Sequence, residues 1–336
     1  MGGFTAQSLN RRTEVIIKYF FRVAKIGLID LDGKNFPNIP LMKISAFHKQ
    51  KGDSVEWLTI GDYDKTYVSK IFTFSPEFVQ GFGNYGEIVK GGTGYDIASK
   101  LPTEIDMITN IDYSIYPQID YSVQFFSRGC IRNCPFCVVR KKEGNIKAVE
   151  PMDLNPKGGR IEVLDNNFFA NPEWKSAVDL LLKWNKKINL HGVDVRIMNE
   201  EQAFWLNKLK IDGSIHIAWD FATDNILENI KEMLKYVKAY KIICYVLIGF
   251  NTDIEQDLYR VRKLKELGIR PFVQPYRDFN NERIISQYEK DFAGWVNKRE
   301  RFMSFDFVDY QPRKGFKCSF YLNAFEKSKV RGQKNI

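Results

Sequence analysis

The chain has 336 residues, of which 44% are hydrophobic and 27% are charged, and its formal net charge is +9. This composition is ordinary for a globular protein of about two domains and excludes a fibrous, low-complexity or disordered chain. The positive charge favours an anionic partner, such as nucleic acid, a phosphate-bearing metabolite or an acidic electron donor.

The first apolar stretch, residues 15–31, is interrupted by Lys18, Arg22 and Lys25. It falls short of the roughly 20 uncharged residues that span a bilayer, and it lacks the small-residue cleavage site of a signal peptide. We therefore expect no association with a membrane and a cytoplasmic location.

Residues 1–115 predict a small α/β domain of the doubly wound, Rossmann-like kind. The apolar runs predict strands at residues 25–30, 54–59, 66–72 and 85–89. A helix is predicted over residues 39–51, with Gly52 at its end, where a helix stop belongs. The glycine-rich segment at residues 91–96 predicts a turn or a close approach of two backbones.

From Tyr121 onward, strands and helices alternate regularly. The predicted strands cover residues 121–126, 160–165, 189–195, 213–219, 241–248 and 270–275. Three helix starts are predicted from capping residues, which are Asn171 with Pro172, Asn199 with Gln202, and Thr252 with Glu255. Six such units predict a parallel sheet curled into a partial (β/α)6 barrel over residues 116–300. Residues 301–336 then form a C-terminal extension with a basic tail, which contains Lys327, Lys329, Arg331 and Lys334.

Cys130, Cys134 and Cys137 follow the first of these strands with the spacing C-x3-C-x2-C. Three clustered cysteines are unlike a disulfide framework, and their thiolates suit three irons of a cubane cluster, which leaves the fourth iron open. Two alternatives remain. One is a zinc site with Cys318 or a histidine as fourth ligand, and the other is a thioredoxin-type pair that leaves Cys130 unexplained. Cys244, inside a strand, is interpreted as a small buried hydrophobic residue.

This cysteine loop, which follows a strand and opens a series of β/α units, resembles that of the radical S-adenosylmethionine superfamily over residues 116–300. The resemblance implies a [4Fe–4S] cluster on the three cysteines, with S-adenosylmethionine bound to the open iron through its amino and carboxylate groups. One electron from the cluster would cleave the cofactor to a 5′-deoxyadenosyl radical, which abstracts hydrogen from an unidentified substrate. A reduced donor such as flavodoxin or ferredoxin would supply that electron.

The resemblance also assigns roles to residues at the strand ends. Asp165, Asn166 and Asn167 take the place of the family's usual Gly-Gly-Glu segment, which holds the amino group of the cofactor. Asp194 and Arg196 are candidates for the ribose hydroxyls and the carboxylate. From the residues alone, Asp165 is equally a turn or cap residue, and Asp194 with Arg196 an ordinary ion pair at the barrel rim.

Adenine contacts and substrate contacts complete the set of predicted site residues. Phe136 lies at the aromatic position that in this family packs near adenine, and Ile248 with Gly249 resembles the strand that approaches the base, although a core strand explains both equally well. Four polar residues at strand ends are candidates for substrate contacts, or simple loop residues: Asp220, Gln274, Tyr276 and Arg277.

The N-terminal domain resembles the cobalamin-binding type often found before this barrel, but the D-x-H-x-x-G signature is absent. His48 has Ala46 and Lys51 at the corresponding offsets, so cobalamin is doubtful and His48 is interpreted as a partly buried helix residue. The basic charge and 14% aromatic content make a nucleotide or nucleic acid a reasonable substrate. The competing function is a non-catalytic iron–sulfur or zinc-binding redox sensor.

Overall fold

The computed structural model describes residues 23–278 and 283–333, which divide into two compact units. The first unit contains the described residues up to Asp120 together with Pro151–Gly158, and the second contains Tyr121–Glu150 and the described residues from Gly159 onward. Residues 1–22 of the predicted N-terminal domain, and Lys334 of the basic tail, lie outside the described residues. Among the helices that are described, none has the length and apolar character needed to cross a membrane.

The first unit is built on a four-stranded parallel sheet. Its strands are β1 (Lys25–Asp30), β2 (Ser54–Trp57), β3 (Lys65–Ser69) and β4 (Glu87–Gly91), in the spatial order β2-β1-β3-β4. The four predicted strands are therefore confirmed to within a few residues. Gly92 has φ +104°, and a Cβ there would lie 2.2 Å from the Lys70 carbonyl oxygen, so the predicted close approach of two backbones is confirmed.

From residue 23 onward, the α-helices of the first unit are α1 (Ile39–Gln50), between β1 and β2, and the short α2 (Thr103–Asp106). Asn38 caps α1 by accepting a hydrogen bond from the Leu41 N–H, and Gly52, at φ +86°, follows its end as predicted. The connections from β2 to β3 and from β3 to β4 contain no helix, unlike those of a doubly wound layer. The second connection, residues 70–86, includes Pro76, Gly81 and Gly83, residue types that disfavour helix.

The second unit contains two three-stranded parallel sheets and a short antiparallel hairpin. Its strands are β5 (Tyr121–Gln124), β6 (Ser127–Arg128), β7 (Lys147–Ala148), β8 (Arg160–Val163), β9 (Lys187–Leu190), β10 (Ile215–Ala218), β11 (Ile242–Ile248) and β12 (Arg270–Pro275). The parallel sheets have the orders β5-β8-β9 and β10-β11-β12, while β6 pairs with β7. All six predicted strands are found, and the protein is a mixed α/β structure with parallel sheets.

Eight helices lie in the described part of the second unit. They are α3 (Val139–Glu143), α4 (Trp174–Trp184), α5 (Glu200–Lys208), α6 (Leu227–Leu234), α7 (Ile254–Glu266), α8 (Gln287–Val296), α9 (Arg299–Ser304) and α10 (Ser319–Gln333). The capping box of Asn199 and Gln202 at the start of α5 is confirmed. Helices separate most of the six parallel strands of this unit, as the alternation in the sequence predicts.

Three boundaries differ from the predicted ones. The capping box of α7 is Asp253 with Gln256 rather than Thr252 with Glu255, because the Asp253 carboxylate accepts the hydrogen bond from the Gln256 N–H. Helix α4 begins at Trp174 rather than next to Asn171, whose side chain donates to the Phe126 carbonyl and accepts from the Glu173 N–H. Strand β9, predicted over residues 189–195, ends at Leu190, because Asp194 caps a 3₁₀ turn over Val195–Ile197.

The two faces of the strands in the second unit differ in chemistry. One face is apolar and fully buried, and it includes Ile161, Val163, Ile188, Leu190, Ile215, Ile217, Cys244, Val246 and Val273. Burying one aliphatic side chain of this size contributes about 1.5–3 kcal/mol, so this face supplies the core. The interpretation of Cys244 as a buried hydrophobic residue is confirmed. The opposite face is more polar and carries Arg160, Glu162, Asn189, His216 and Tyr245.

Candidate functional site

The cysteine loop begins directly after β6 and is held in place by its backbone. Gly129 has φ +85°, and a Cβ at this position would lie 2.3 Å from the Asn145 carbonyl oxygen, so a side chain is not tolerated there. The Cys130 N–H donates to the Gly144 carbonyl (3.3 Å), and the Arg140 guanidinium donates to the Cys130 carbonyl (2.8 Å). The first cysteine is thus fixed by contacts on both sides of its peptide unit.

Cys130, Cys134 and Cys137 are free thiols of intermediate exposure, and all three line one open pocket. The Cys137 N–H donates to the Cys134 carbonyl (3.0 Å), which makes a tight turn between them. Burial raises the pKa of both the Cys134 and the Cys137 thiol, and Arg196 acts in the opposite direction on Cys134. Within residues 23–278 and 283–333, no three His, Cys, Asp or Glu side chains form a group that holds a metal ion in the present arrangement.

Glu143, at the end of α3, connects the cysteine loop to the segment that follows β8. Its carboxylate accepts a bidentate pair of hydrogen bonds from Arg128, at 2.8 and 3.1 Å, and one from the Gly129 N–H at 2.8 Å. Asn166 donates to the same carboxylate at 2.9 Å. Hydrogen bonds to a charged group are the stronger kind, so Glu143 organises the loop. This role of Glu143 was not predictable from the sequence, because Glu143 belongs to a run of charged residues typical of a solvated surface.

Asp194 lies at the centre of a second network, which also lines the pocket. Its carboxylate accepts from Arg196 Nε at 2.7 Å, from Arg132 Nε at 3.1 Å and from Asn167 Nδ2 at 3.1 Å. Burial alone would raise the pKa of Asp194, but the two arginines outweigh it and lower the pKa. Asp194 is therefore ionised. Asp194 and Arg196 form an ion pair and also line the pocket, so both interpretations of their sequence pattern describe part of the arrangement.

Asn167 is a buried polar residue of the pocket whose hydrogen bonding is incomplete. Its side chain is only 1% exposed, and while Nδ2 donates to Asp194, Oδ1 is buried with no hydrogen-bond partner. An unsatisfied buried acceptor costs about 1–3 kcal/mol, which a ligand that donates a hydrogen bond would recover. Asn167 Oδ1 is thus suited to an amino or ammonium group.

Six further residues predicted for the site line the same pocket as the cysteines; they are Phe136, Asn166, Asn167, Asp194, Arg196 and Asp220. Burial raises the pKa of Asp220 to about 6, while Arg196 and Arg260 act to lower it. The Phe136 ring lies against Phe221 and Phe250, with centroid distances of 5.5 and 5.3 Å. The pocket therefore combines thiols, an ionised carboxylate, guanidinium groups and the ring of Phe136, which belongs to an aromatic cluster.

Asp165 is not among the residues that line this pocket. It is 1% exposed, and its two carboxylate oxygens accept from the Phe126 N–H (2.9 Å) and the Ser127 hydroxyl (2.5 Å). Burial raises the pKa of Asp165 to about 6 against the opposing effect of these hydrogen bonds. Its contacts are those of a turn residue that fixes the entry to the cysteine loop, which was the alternative interpretation of its position.

Five other predicted residues also lie outside the set that lines the pocket. Ile248 is fully buried, and a Cβ on Gly249 would lie 2.6 Å from the Glu289 carboxylate, so the close approach at this glycine is to a side chain of the protein. Tyr276 contacts Phe250 at a centroid distance of 4.8 Å, which links it to the aromatic cluster around Phe136. The remaining two, Gln274 and Arg277, are exposed.

His191 and His216 line the pocket, but the sequence analysis assigned them no role. The signal for His216 was its position between Ile215 and Ile217, because strict alternation places it on the polar face of β10. His191 follows β9 directly, at the end of the strand where chemistry is expected in parallel sheets.

No protein-family model matches the chain, and no curated protein is similar enough to be matched to it. The resemblance to radical S-adenosylmethionine enzymes consequently rests on the cysteine motif, its position after a strand and the order of the β/α units.

Proposed function

We propose that this protein is a radical S-adenosylmethionine enzyme, in which Cys130, Cys134 and Cys137 bind a [4Fe–4S] cluster with one open iron. The observation that carries the proposal is that these three thiols, on one loop after β5 and the short β6, line a single pocket together with an ion-pair network and the ring of Phe136. In a cubane each thiolate binds a different iron, so the three sulfurs need not converge on one ion.

The remaining groups of the pocket suit the parts of S-adenosylmethionine. Asn167 Oδ1, which has no partner, accepts a hydrogen bond from the amino group, and the Arg196 guanidinium attracts the carboxylate. The rings around Phe136 offer an apolar surface for adenine. When bound, the cluster and the cofactor together supply one electron and a carbon-centred radical. The chain itself orients the cofactor.

The finer architecture belongs to the same proposal. We infer that the six long parallel strands of the second unit form one partial (β/α)6 barrel, because they follow one another in sequence order across the two sheets. The His191 and His216 rings, whose centroids are 6.1 Å apart, bring the end of β9 next to β10. The four parallel strands of the first unit have an order compatible with a Rossmann-like domain.

The proposal implies a partner and a compartment. A reduced one-electron donor such as flavodoxin or ferredoxin is required, and a reducing cytoplasm preserves the partly exposed thiols. Cobalamin remains doubtful, because both ring nitrogens of His48 already have protein partners. The substrate is unidentified, and a nucleotide or nucleic acid remains a candidate on the ground of net charge.

The test is anaerobic reconstitution with iron and sulfide, followed by reduction with dithionite in the presence of S-adenosylmethionine. We expect about four irons per chain, the electron paramagnetic resonance signal of a reduced cubane cluster, and formation of 5′-deoxyadenosine without added substrate. Cys134→Ala should lose the signal and the cleavage. The matched control is Cys244→Ala, because Cys244 is a fully buried thiol outside the pocket, and this variant should keep both.

Three results would contradict the proposal. Tetrahedral zinc with four protein ligands would exclude cofactor binding at an open iron. A complete cluster that never cleaves S-adenosylmethionine would instead favour the redox-sensor function. Retention of full iron content by Cys134→Ala would show that the cluster ligands are assigned wrongly.

A further inference from the structure

Two imidazole rings on neighbouring strands face the pocket that the cysteines line. His191, at the end of β9, and His216, in β10, both contribute to its lining. Neither lies in the cysteine loop or in the Asp194 network described above. A polar surface made of two imidazoles is thus available in the same cavity for a molecule other than the cofactor.

A buried carboxylate orients the first ring. Glu162 Oε2 lies 2.7 Å from His191 Nε2, while Glu162 Oε1 accepts from Arg160 Nε at 2.9 Å. Burial of Glu162 alone would raise its pKa, but the hydrogen bonds from His191 and Arg160 outweigh it and lower the pKa. An ionised carboxylate is acceptor-only, so His191 donates from Nε2 and Nδ1 is left as its second polar atom.

The second ring is neutral. Its neighbours are His191 and Tyr245, with a ring-centroid distance of 5.4 Å to the latter. Burial lowers the pKa of His216, and His191 lowers it further. Among the described residues, neither ring nitrogen of His216 has a protein hydrogen-bond partner. A neutral imidazole offers one donor and one acceptor, and both are available to a ligand.

The charges around the pair select against anions. Among the described residues, the two arginines that line the pocket, Arg132 and Arg196, are both paired with Asp194. Arg160, next to Glu162, is paired with that carboxylate and stacked on Tyr121. A phosphate beside His191 would therefore lie near the ionised Glu162 without a free positive charge to compensate it. A hydroxyl or carboxamide group, in contrast, both donates and accepts, which matches the atoms that the two rings leave free.

We propose that His191 and His216, with Glu162 as the positioning residue, form the substrate-binding floor of this pocket and take a neutral hydroxyl- or carboxamide-bearing small molecule. The identity of that molecule as a substrate rests on the proposed function, whereas its binding does not. The proposal narrows the substrate class, because net charge alone favours a phosphate-bearing partner.

The test uses the full chain with its cluster reconstituted and ¹⁵N-labelled histidine. The chain contains three histidines, and His48, with both nitrogens occupied, is the internal reference. The probes are glucose and glucose 6-phosphate, which differ by the phosphate group. We expect glucose to shift the His191 and His216 signals saturably, and glucose 6-phosphate to bind at least about tenfold more weakly, a difference of ~1.4 kcal/mol.

Three variants test the roles of Glu162 and His216. Glu162→Gln should remove the preference of His191 for the Nε2–H tautomer, a spectroscopic change that a purely structural role of Glu162 elsewhere would not produce. His216→Phe should abolish the glucose-dependent shift of the His191 signal. Lys187→Met, an exposed change on the same strand as His191, should leave the shifts unaltered.

Tighter binding of glucose 6-phosphate, or no saturable shift with either probe, overturns the proposal. Its failure is distinguishable from that of the proposed function. If the wild-type protein binds glucose but neither holds a cluster nor forms 5′-deoxyadenosine, the binding floor stands and the radical chemistry does not. If 5′-deoxyadenosine forms but glucose 6-phosphate binds more tightly than glucose, the radical chemistry stands and the proposed binding of a neutral molecule does not.

Discussion

His48 in helix α1 of the first unit and His216 in β10 of the second each directly follow an apolar residue in a regular element, yet their environments are opposite. His48 Nδ1 lies 2.7 Å from Asp53 Oδ2 and Nε2 lies 3.0 Å from the Tyr67 hydroxyl oxygen. In the described residues, His216 has no such partner on either nitrogen and faces a pocket. A polar group whose hydrogen bonds are made within the protein stabilises the fold, whereas a polar group without a partner beside a cavity is available to a ligand.

The same contrast occurs within the second unit, between two residues of the segment that follows β8. Asp165 has partners on both oxygens, while Asn167 leaves Oδ1 buried and unpaired. Both are nearly inaccessible to solvent. Burial alone therefore does not separate structural from ligand-binding groups, but the completeness of hydrogen bonding does. The predictions below test this distinction.

The largest expected effect is on the pH dependence of stability at Asp165. Its folded-state pKa is about 6, above its ordinary value of 3.8, so the folded protein holds this proton more tightly than the unfolded chain. The stabilising contribution is complete below about pH 4 and is lost as the pH rises through 6. Between pH 3 and pH 8, the free energy of unfolding of wild type should fall by about 3 kcal/mol relative to that of Asp165→Asn.

Urea unfolding of both proteins across this pH range measures the difference. All other titrating groups are common to the two proteins, so the difference curve isolates Asp165. A flat difference curve, or one that rises with pH, would mean that Asp165 is not a buried group whose ionisation costs stability.

His48→Leu should destabilise the first unit by about 2.5 kcal/mol, because it leaves the Asp53 carboxylate and the Tyr67 hydroxyl without their partner. Native-state hydrogen exchange of the β3 amides measures this change. The matched variant is His216→Phe, which removes no protein hydrogen bond, and it should change stability by less than about 0.5 kcal/mol. Equal effects of the two substitutions would refute the distinction between satisfied and unsatisfied histidines.

Glu143→Ala should loosen the cysteine loop by about 2 kcal/mol, since Arg128, Gly129 and Asn166 all lose their acceptor. The Gly129 amide should then exchange roughly thirtyfold faster, and less iron should be retained after reconstitution. Lys141→Ala, an exposed change in the same helix, is the control and should leave both quantities unchanged. An unaltered Gly129 exchange rate in Glu143→Ala would show that the carboxylate does not hold the loop.

Strand positions were predictable from the sequence because apolar runs such as Ile242–Ile248 have few other stable arrangements. Boundaries were less predictable, as at α7, where Thr252 and Asp253 are adjacent potential caps and the stronger carboxylate acceptor is the one used. Neighbouring cap candidates differ by a small free energy, and tertiary contacts decide between them.

For the site, the three cysteines and Asp194 with Arg196 could be placed in one pocket because the ends of parallel strands converge. The direction of side chains at those ends was not predictable. Asp165 and Asn167 are two residues apart, yet one faces the turn and the other the pocket, since the chain leaves its regular alternation after Val163. Glu143 and the His191–Glu162 pair depend on contacts between segments distant in sequence, and such contacts leave no local pattern.

The burial of Cys244 and Cys318 has a practical consequence for chemical labelling. Both side chains are inaccessible, and burial raises the thiol pKa, to about 12 for Cys318. Alkylating reagents attack the thiolate at an accessible sulfur, so in the native protein these two residues react slowly. Of the five cysteines in the chain, maleimide applied to native protein therefore counts only those of the pocket loop. Mass spectrometry after a brief maleimide pulse becomes a direct gauge of how many loop sulfurs are occupied.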